Sequence, residues 1–189
     1  RLIYHDVMNL MEIIRLNTDP DTKVKAAVYG DNNNQIAVAT ILKIWACQIM
    51  ADTWGDIPYS QAFKGDIDPA KSIPTPKYDK LQDIYATFQQ ELKDAVNLID
   101  LDAPGFTSGD VSYGGDMEKW LKFGNSLRLR IAMRISNTDG YAAAKAIANE
   151  EGIVFMESNA DNAAFEYIGS APNNSPLYDA YWTNARNDF

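Results

Sequence analysis

YDKLQDIYATFQQELKDAVNLI, residues 78–99, decides the fold class. Its apolar residues Tyr78, Leu81, Tyr85, Phe88, Leu92, Ala95 and Ile99 recur at spacings of 3, 4, 3, 4, 3 and 4. That is the repeat of one face of an α-helix, and Asp83, Gln90, Lys93, Asp94 and Asn97 fall on the other face. A helix with such a stripe must bury it against neighbours, so the fold turns on whether the flanking sequence supplies further helices.

It does, on both sides. Ile3, Val7, Leu10 and Ile14 predict a first helix that ends near Asn17-Thr18-Asp19-Pro20. DNNNQI, residues 31–36, offers helix-starting Asp and Asn side chains. The following IAVATILKIWACQIM is apolar nearly all round, the pattern of a helix buried on several sides. Trp120, Phe123, Leu127, Ile131 and Ile135 mark a fourth helix, with Asp116 at its N-cap. YAAAKAIANEEG, residues 141–152, predicts a short fifth helix closed by Gly152.

Between these helices lie long irregular connections. Residues 55–77 carry Gly55, Pro58, Gly65, Pro69, Pro74 and Pro76, and residues 100–116 are rich in Gly and Asp. The segment 153–189 is loop-rich, with a weak strand pattern at Ala163–Ile168. The expected architecture is all-α: antiparallel helix pairs with long irregular loops, in a single helical domain over residues 1–189. The chain opens on Arg1 inside a helical pattern and reads as part of a longer polypeptide.

Composition narrows the function classes. The net charge of -9 argues against a nucleic-acid partner, which needs clustered Lys and Arg. One cysteine, Cys47, leaves no disulfide framework and no Cys-rich metal site. No continuous apolar run reaches the length of a membrane span. His5 is the only histidine and has no nucleophile signature near it. Nothing in the sequence calls for a metal or a cofactor. DLDAPGFTSGD, from residue 100, fails as a calcium loop because Pro104 and Val111 stand at ligand positions. Gly114-Gly115-Asp116 lacks the spacing and lysine of a phosphate loop.

ADTWGDIPYS, residues 51–60, holds two acids and two aromatics where the second long helix ends. Gly55 permits a turn and Pro58 stops the helix from resuming. Asp52 and Asp56 suit hydrogen bonds to backbone amides or arginines better than a pair of catalytic carboxylates. The arginines are at hand in KFGNSLRLRIAMRIS: Arg130 and Arg134 share a helix face and Arg128 points elsewhere. Their candidate partners are Asp52, Asp56, Asp110 and Asp116.

Trp54, Tyr59, Phe106, Tyr113, Tyr167, Tyr178, Tyr181 and Trp182 are the aromatics outside periodic segments. Such residues serve as ligand platforms or as anchors of their loops. Tyr178, Tyr181, Trp182, Tyr167 and Asn174 are the candidate ligand-binding residues, because they cluster near the amide-rich NNSP.

ADTWGDIPYSQAF, PKYDKLQDIYATFQQELKDA, YGGDMEKWLKFGNSLRLRIAMRISN and NSPLYDAYWTNARNDF resemble, in that order, segments of SusD/RagB-like outer-membrane lipoproteins. The closest likeness is to the starch-binding, outer-membrane-associated group. The resemblance implies a scaffold of tetratricopeptide-like helix pairs. It implies a surface lipoprotein of a Bacteroidetes-type bacterium, anchored by a lipid that this chain does not carry. Such a protein captures a glycan, or in some members peptides, for a SusC-like TonB-dependent transporter, and it is not an enzyme. Family members are much longer than this chain. The alternatives are a protein-interaction scaffold without a small ligand, a peptide-binding member, and a hydrolase built on Asp52 and Asp56.

Overall fold

The computed structural model describes residues 2–64, 73–139, 141–167, 169–170 and 174–183. Its helices are α1 (Leu2–Thr18), a single turn α2 (Lys23–Ala26), α3 (Asn32–Trp54), α4 (Leu81–Leu98), α5 (Met117–Arg134), short α6 (Ser136–Asp139), α7 (Ala142–Ala148) and α8 (Pro176–Tyr178). A π-helical turn, Asp179–Thr183, continues α8. Among the described residues no strand forms, and the isolated antiparallel bridge Ile57–Asp79 is the nearest approach to one. Residues 163–167 therefore do not form the strand that their pattern allowed, and Ile168 lies outside the described residues.

The long helices pack in chain order: α1 on α3, α3 on α4, α4 on α5 and α5 on α7. The pairs α1/α3, α3/α4 and α4/α5 are antiparallel, as the cross-links show. Asn17 near the end of α1 meets Gln35 at the start of α3, while Tyr4 at the other end meets Pro58 beyond α3. Likewise Asp52 of α3 meets Tyr85 of α4, and Gln89 of α4 donates to the Arg128 carbonyl of α5.

The core is centred on α3. Val38, Ile41, Ile44, Cys47 and Met50 are buried against Ile84, Phe88, Leu92 and Val96 of α4 and Trp120, Leu127 and Ile131 of α5. Full burial of such side chains is worth about 1.5–3 kcal/mol each. A smaller cluster, Ala132, Ala144 and Ile147, seats α7 on the far side of α5.

Local signals explain the starts of α3 and α5. Asp31 accepts from the Asn33 and Asn34 amides at 2.8 and 3.1 Å. Asp116 accepts from the Lys119 amide at 3.1 Å. Two boundaries differ from expectation. α4 starts at Leu81, so Tyr78 precedes the helix and stays 72% exposed instead of joining the stripe. α7 ends at Ala148, and Gly152 sits in a later turn at φ +70°.

Against the expectation that no membrane-length stretch exists, α3 does reach that length and apolarity, with a mean hydropathy of 1.4. Its polar side chains are matched inside the protein. Asn34 donates to the Asp100 and Ala103 carbonyls and accepts from the Asp100 amide, and Gln35 donates to the carbonyls of Ala26 and Gly30. These are the features of a buried central helix.

Candidate functional site

The exit from α3 is built by hydrogen bonds. Gly55, at φ +76°, donates its amide to the Ala51 carbonyl at 2.9 Å and turns the chain out of the helix. The Tyr4 hydroxyl donates to the Pro58 carbonyl at 2.8 Å and ties α1 to the turn. Asp56 accepts from the Leu81 amide at 2.9 Å and from Lys80 Nζ at 3.3 Å, so it caps α4 from a distant part of the chain. The Leu81 amide is the main influence holding the Asp56 carboxyl below its ordinary value. Asp79 closes the turn by accepting from the Tyr59 and Ser60 amides at 3.1 and 2.7 Å and from the Ser60 hydroxyl at 2.8 Å.

Asp52 belongs to a second network. It accepts from Gln48 Nε2 at 2.7 Å, from Arg134 Nε at 3.0 Å and from the Tyr85 hydroxyl. Arg130 donates to Gln48 Oε1 in the same group. Arg128 points away, as its helical position requires, and makes a bidentate pair with Glu150 at 2.8 and 2.7 Å plus a bond to Asn125. Of the four acids expected to meet the arginines, only Asp52 does. Asp110 instead accepts from the Ser112, Tyr113 and Gly115 amides and the Trp120 indole, while Asp116 caps α5 and Asp56 caps α4.

These contacts bear on chemistry. Asp52 and Asp56 both help to hold the frame. Cys47 is fully buried, and burial pushes its thiol up to about 12, far from a nucleophilic thiolate. His5 is exposed beside Asp6, at 3.6 Å. Among the described residues no group of three or more acids, Cys or His converges on a metal site.

The aromatics outside the periodic segments divide in two. Tyr59 is buried, stands edge-on to Phe88 with ring centres 5.1 Å apart, and donates to Glu91 at 2.5 Å. Tyr113 donates to the Asp161 carbonyl at 2.6 Å and packs edge-on to Trp120, and Phe106 packs on the core. These three anchor loops. Tyr167, Tyr178, Tyr181 and Trp182 remain exposed, Trp182 at 68%. Tyr181 and Trp182 stand edge to face at 5.0 Å beside α8, and Asn174 Nδ2 donates to Asp179 at 3.0 Å in the same segment. Tyr167 pairs instead with Phe165, at 4.7 Å.

A second exposed aromatic pair borders the exit turn. Trp54, 62% exposed, and Tyr78 line a cavity of about 550 Å³ with Ile3, Tyr4, Met50, Asp56, Ile57 and Pro58. Sequence reading missed this pairing because Tyr78 continued the α4 stripe.

Comparison with known proteins fits this frame. A family model described as SusD-like, starch-binding and associating with the outer membrane matches residues 1–189. Among curated proteins nothing matches. Solved structures do. One is a chitin-binding protein, 36% identical, with a TM-score of 0.67 over 86% of this chain and 32% of its own. A SusD homolog from Bacteroides uniformis is 32% identical, with a TM-score of 0.72 over 94% of this chain and 34% of its own. Another from Parabacteroides distasonis is 28% identical, with a TM-score of 0.74 over 97% of this chain and 35% of its own. This chain thus spans about a third of the length of these relatives. With a family match over its whole length and the same arrangement of helices, the chain belongs to the SusD-like family.

Proposed function

We propose that this chain is the helical scaffold of a nutrient-binding protein at the outer membrane, one that captures a glycan and leaves it chemically unchanged. The observation that carries the reading is the match of all 189 residues to a starch-binding family. The likeness to a chitin-binding protein supports it. The exposed chemistry is compatible with that role. Tyr178, Tyr181, Trp182 and Tyr167 offer aromatic faces to the apolar side of a sugar ring, and Asn174, through its bond to Asp179, braces the segment that carries three of them. The structural hydrogen bonds of Asp52 and Asp56 support binding over hydrolysis at this turn. In this reading the protein is lipid-anchored at the cell surface and passes its ligand to a TonB-dependent transporter.

Calorimetry of the purified protein with starch- and chitin-derived oligosaccharides tests the proposal. Tyr178→Ala and Trp182→Ala should each weaken binding by about tenfold. Unchanged affinity in both variants removes the ligand from that segment, and no binding of any glycan defeats the glycan reading. Co-purification of a TonB-dependent transporter from detergent-extracted membranes tests the handover, and failure to recover one defeats it.

A further inference from the structure

The exit turn of α3 is unusual in what it leaves outside. Met50 and Ile57, buried at 1% and 4% exposure, form the floor of the 550 Å³ cavity, while Trp54 and Tyr78 stand at its border largely in water. The volume falls within the roughly 300–1,000 Å³ of small-molecule sites. A second depression of about 410 Å³ adjoins it across Tyr4 and Pro58 and continues toward Phe63 and Gln61.

The backbone carrying the two aromatics is held from several sides. Asp79 donates its amide to the Ile57 carbonyl at 3.0 Å, and its carboxylate holds the Tyr59 and Ser60 amides. Asp56 ties the turn to the first residue of α4, and Tyr4 ties it to α1. Trp54 is the last residue of α3 and Tyr78 is one residue from the Ile57–Asp79 bridge. Neither ring needs the chain to order around it before it can meet a ligand, which lowers the entropy cost of binding.

We infer that this cavity is a saccharide-binding subsite in which Trp54 and Tyr78 meet the apolar faces of sugar rings and Asp56 accepts from sugar hydroxyls. The chemistry selects that class. A sugar ring carries C–H groups on its faces and hydroxyl donors round its rim, matching two aromatic rings and a carboxylate that line one cavity. Among the described residues each Asp56 oxygen makes one hydrogen bond, and a carboxylate oxygen has capacity for two, so acceptor positions remain. A wholly apolar ligand would strip water from Asp56 without replacing its hydrogen bonds. An anionic ligand would face Asp56 in a chain of net charge -9. A neutral saccharide meets neither penalty. The inference rests on the glycan-binding reading and adds to it a contact region remote in sequence from Tyr178 and Trp182.

Calorimetric titration of the purified protein with neutral maltooligosaccharides and chitooligosaccharides tests it, comparing Trp54→Ala, Tyr78→Ala and Trp54→Phe with Trp182→Ala. Trp54 and Tyr78 are exposed enough that their removal leaves the core intact, which circular dichroism verifies. The expected result is a loss of about tenfold in affinity for each alanine variant, with most of it restored in Trp54→Phe. If Trp54→Ala and Tyr78→Ala both bind within twofold of the parent while Trp182→Ala weakens, the subsite is wrong and the glycan reading stands. If no oligosaccharide binds the parent protein, both fall.

Discussion

Lys43 Nζ, on the buried face of α3, lies 2.7 Å from Glu91 Oε2 on α4, and the Tyr59 hydroxyl reaches the same oxygen at 2.5 Å. The Lys43 side chain is only 10% exposed, so its ammonium is largely shielded from water where it pairs with Glu91. Removing one member of such a pair leaves the other desolvated without a partner, whereas replacing all of it with apolar groups is often neutral. Glu91→Ala is therefore expected to lower stability by about 2–4 kcal/mol, read as a fall in the urea midpoint. The triple variant Lys43→Met, Glu91→Leu, Tyr59→Phe is expected to return to within about 1 kcal/mol of the parent. A triple variant as unstable as Glu91→Ala would show that the network contributes net stability.

Asp79 makes stability depend on acid pH. Burial alone would raise its carboxyl. The Ser60 amide and hydroxyl, Lys77 and the Tyr59 amide outweigh that effect and hold it at about 2, against 3.8 for an ordinary aspartate. Between those values the unfolded chain binds more protons than the folded one, so stability rises with pH. The contribution is complete above 3.8 and is lost as pH falls through about 2. Asp110 acts in the same direction: burial opposes ionisation, but the Tyr113 amide, the Trp120 indole and the Gly115 and Ser112 amides prevail. Glu150 is lowered chiefly by Arg128. Urea midpoints measured down through this window should fall steadily. Asp79→Asn should be less stable at neutral pH and should lose less on acidification. An identical acid slope in Asp79→Asn would remove Asp79 as a cause.

What the sequence revealed and hid follows contact range. Phe88, Leu92 and Ala95 were legible as core because helical spacing alone puts them on one face. Asp31 and Asp116 were legible as caps because their partners are two or three residues away. The start of α4 was not, because the acceptor for the Leu81 amide is Asp56, 25 residues earlier. Without that contact the stripe runs on through Tyr78. Loop aromatics failed for the same reason. Nothing local distinguishes Tyr59, whose hydroxyl finds Glu91 across 32 residues, from Trp54, which finds no such burial. The resemblance to a known family rested on motifs that build the frame, so it pointed to the fold more directly than to any ligand residue.

Within the single connection between α4 and α5, the close approach of its two halves allows no side chain at Gly105. A Cβ there would stand 2.3 Å from the Gly115 carbonyl oxygen and 2.8 Å from Met117 Sδ. The first neighbour is backbone and cannot swing aside. Gly152, by contrast, has open space around its Cβ position but sits at φ +70°. Gly105→Ala should cost about 3 kcal/mol or more through overpacking. Gly152→Ala should cost about 1 kcal/mol through its left-handed backbone alone. Thermal unfolding of the two variants tests the order, and a Gly105→Ala protein as stable as Gly152→Ala would show that the two halves of this loop move apart at little cost.

Arg128 joins α5 to the turn after α7 and is 3% exposed, with two of its nitrogens on the two oxygens of Glu150. The hydrophobic contact that seats α7 is small, made of Ala132, Ala144 and Ile147 with partly buried neighbours. The Arg128 fork therefore carries a large share of the attachment. A lysine keeps the charge but has one nitrogen, so it cannot satisfy both carboxylate oxygens and also reach Asn125 in that geometry. Arg128→Lys is expected to cost about 2–3 kcal/mol. The loss should be local: amide hydrogens of residues 142–156 should exchange faster at neutral pH, while those at the centre of α3 keep their protection. Uniformly faster exchange throughout the protein would mean instead that α7 unfolds only together with the whole bundle.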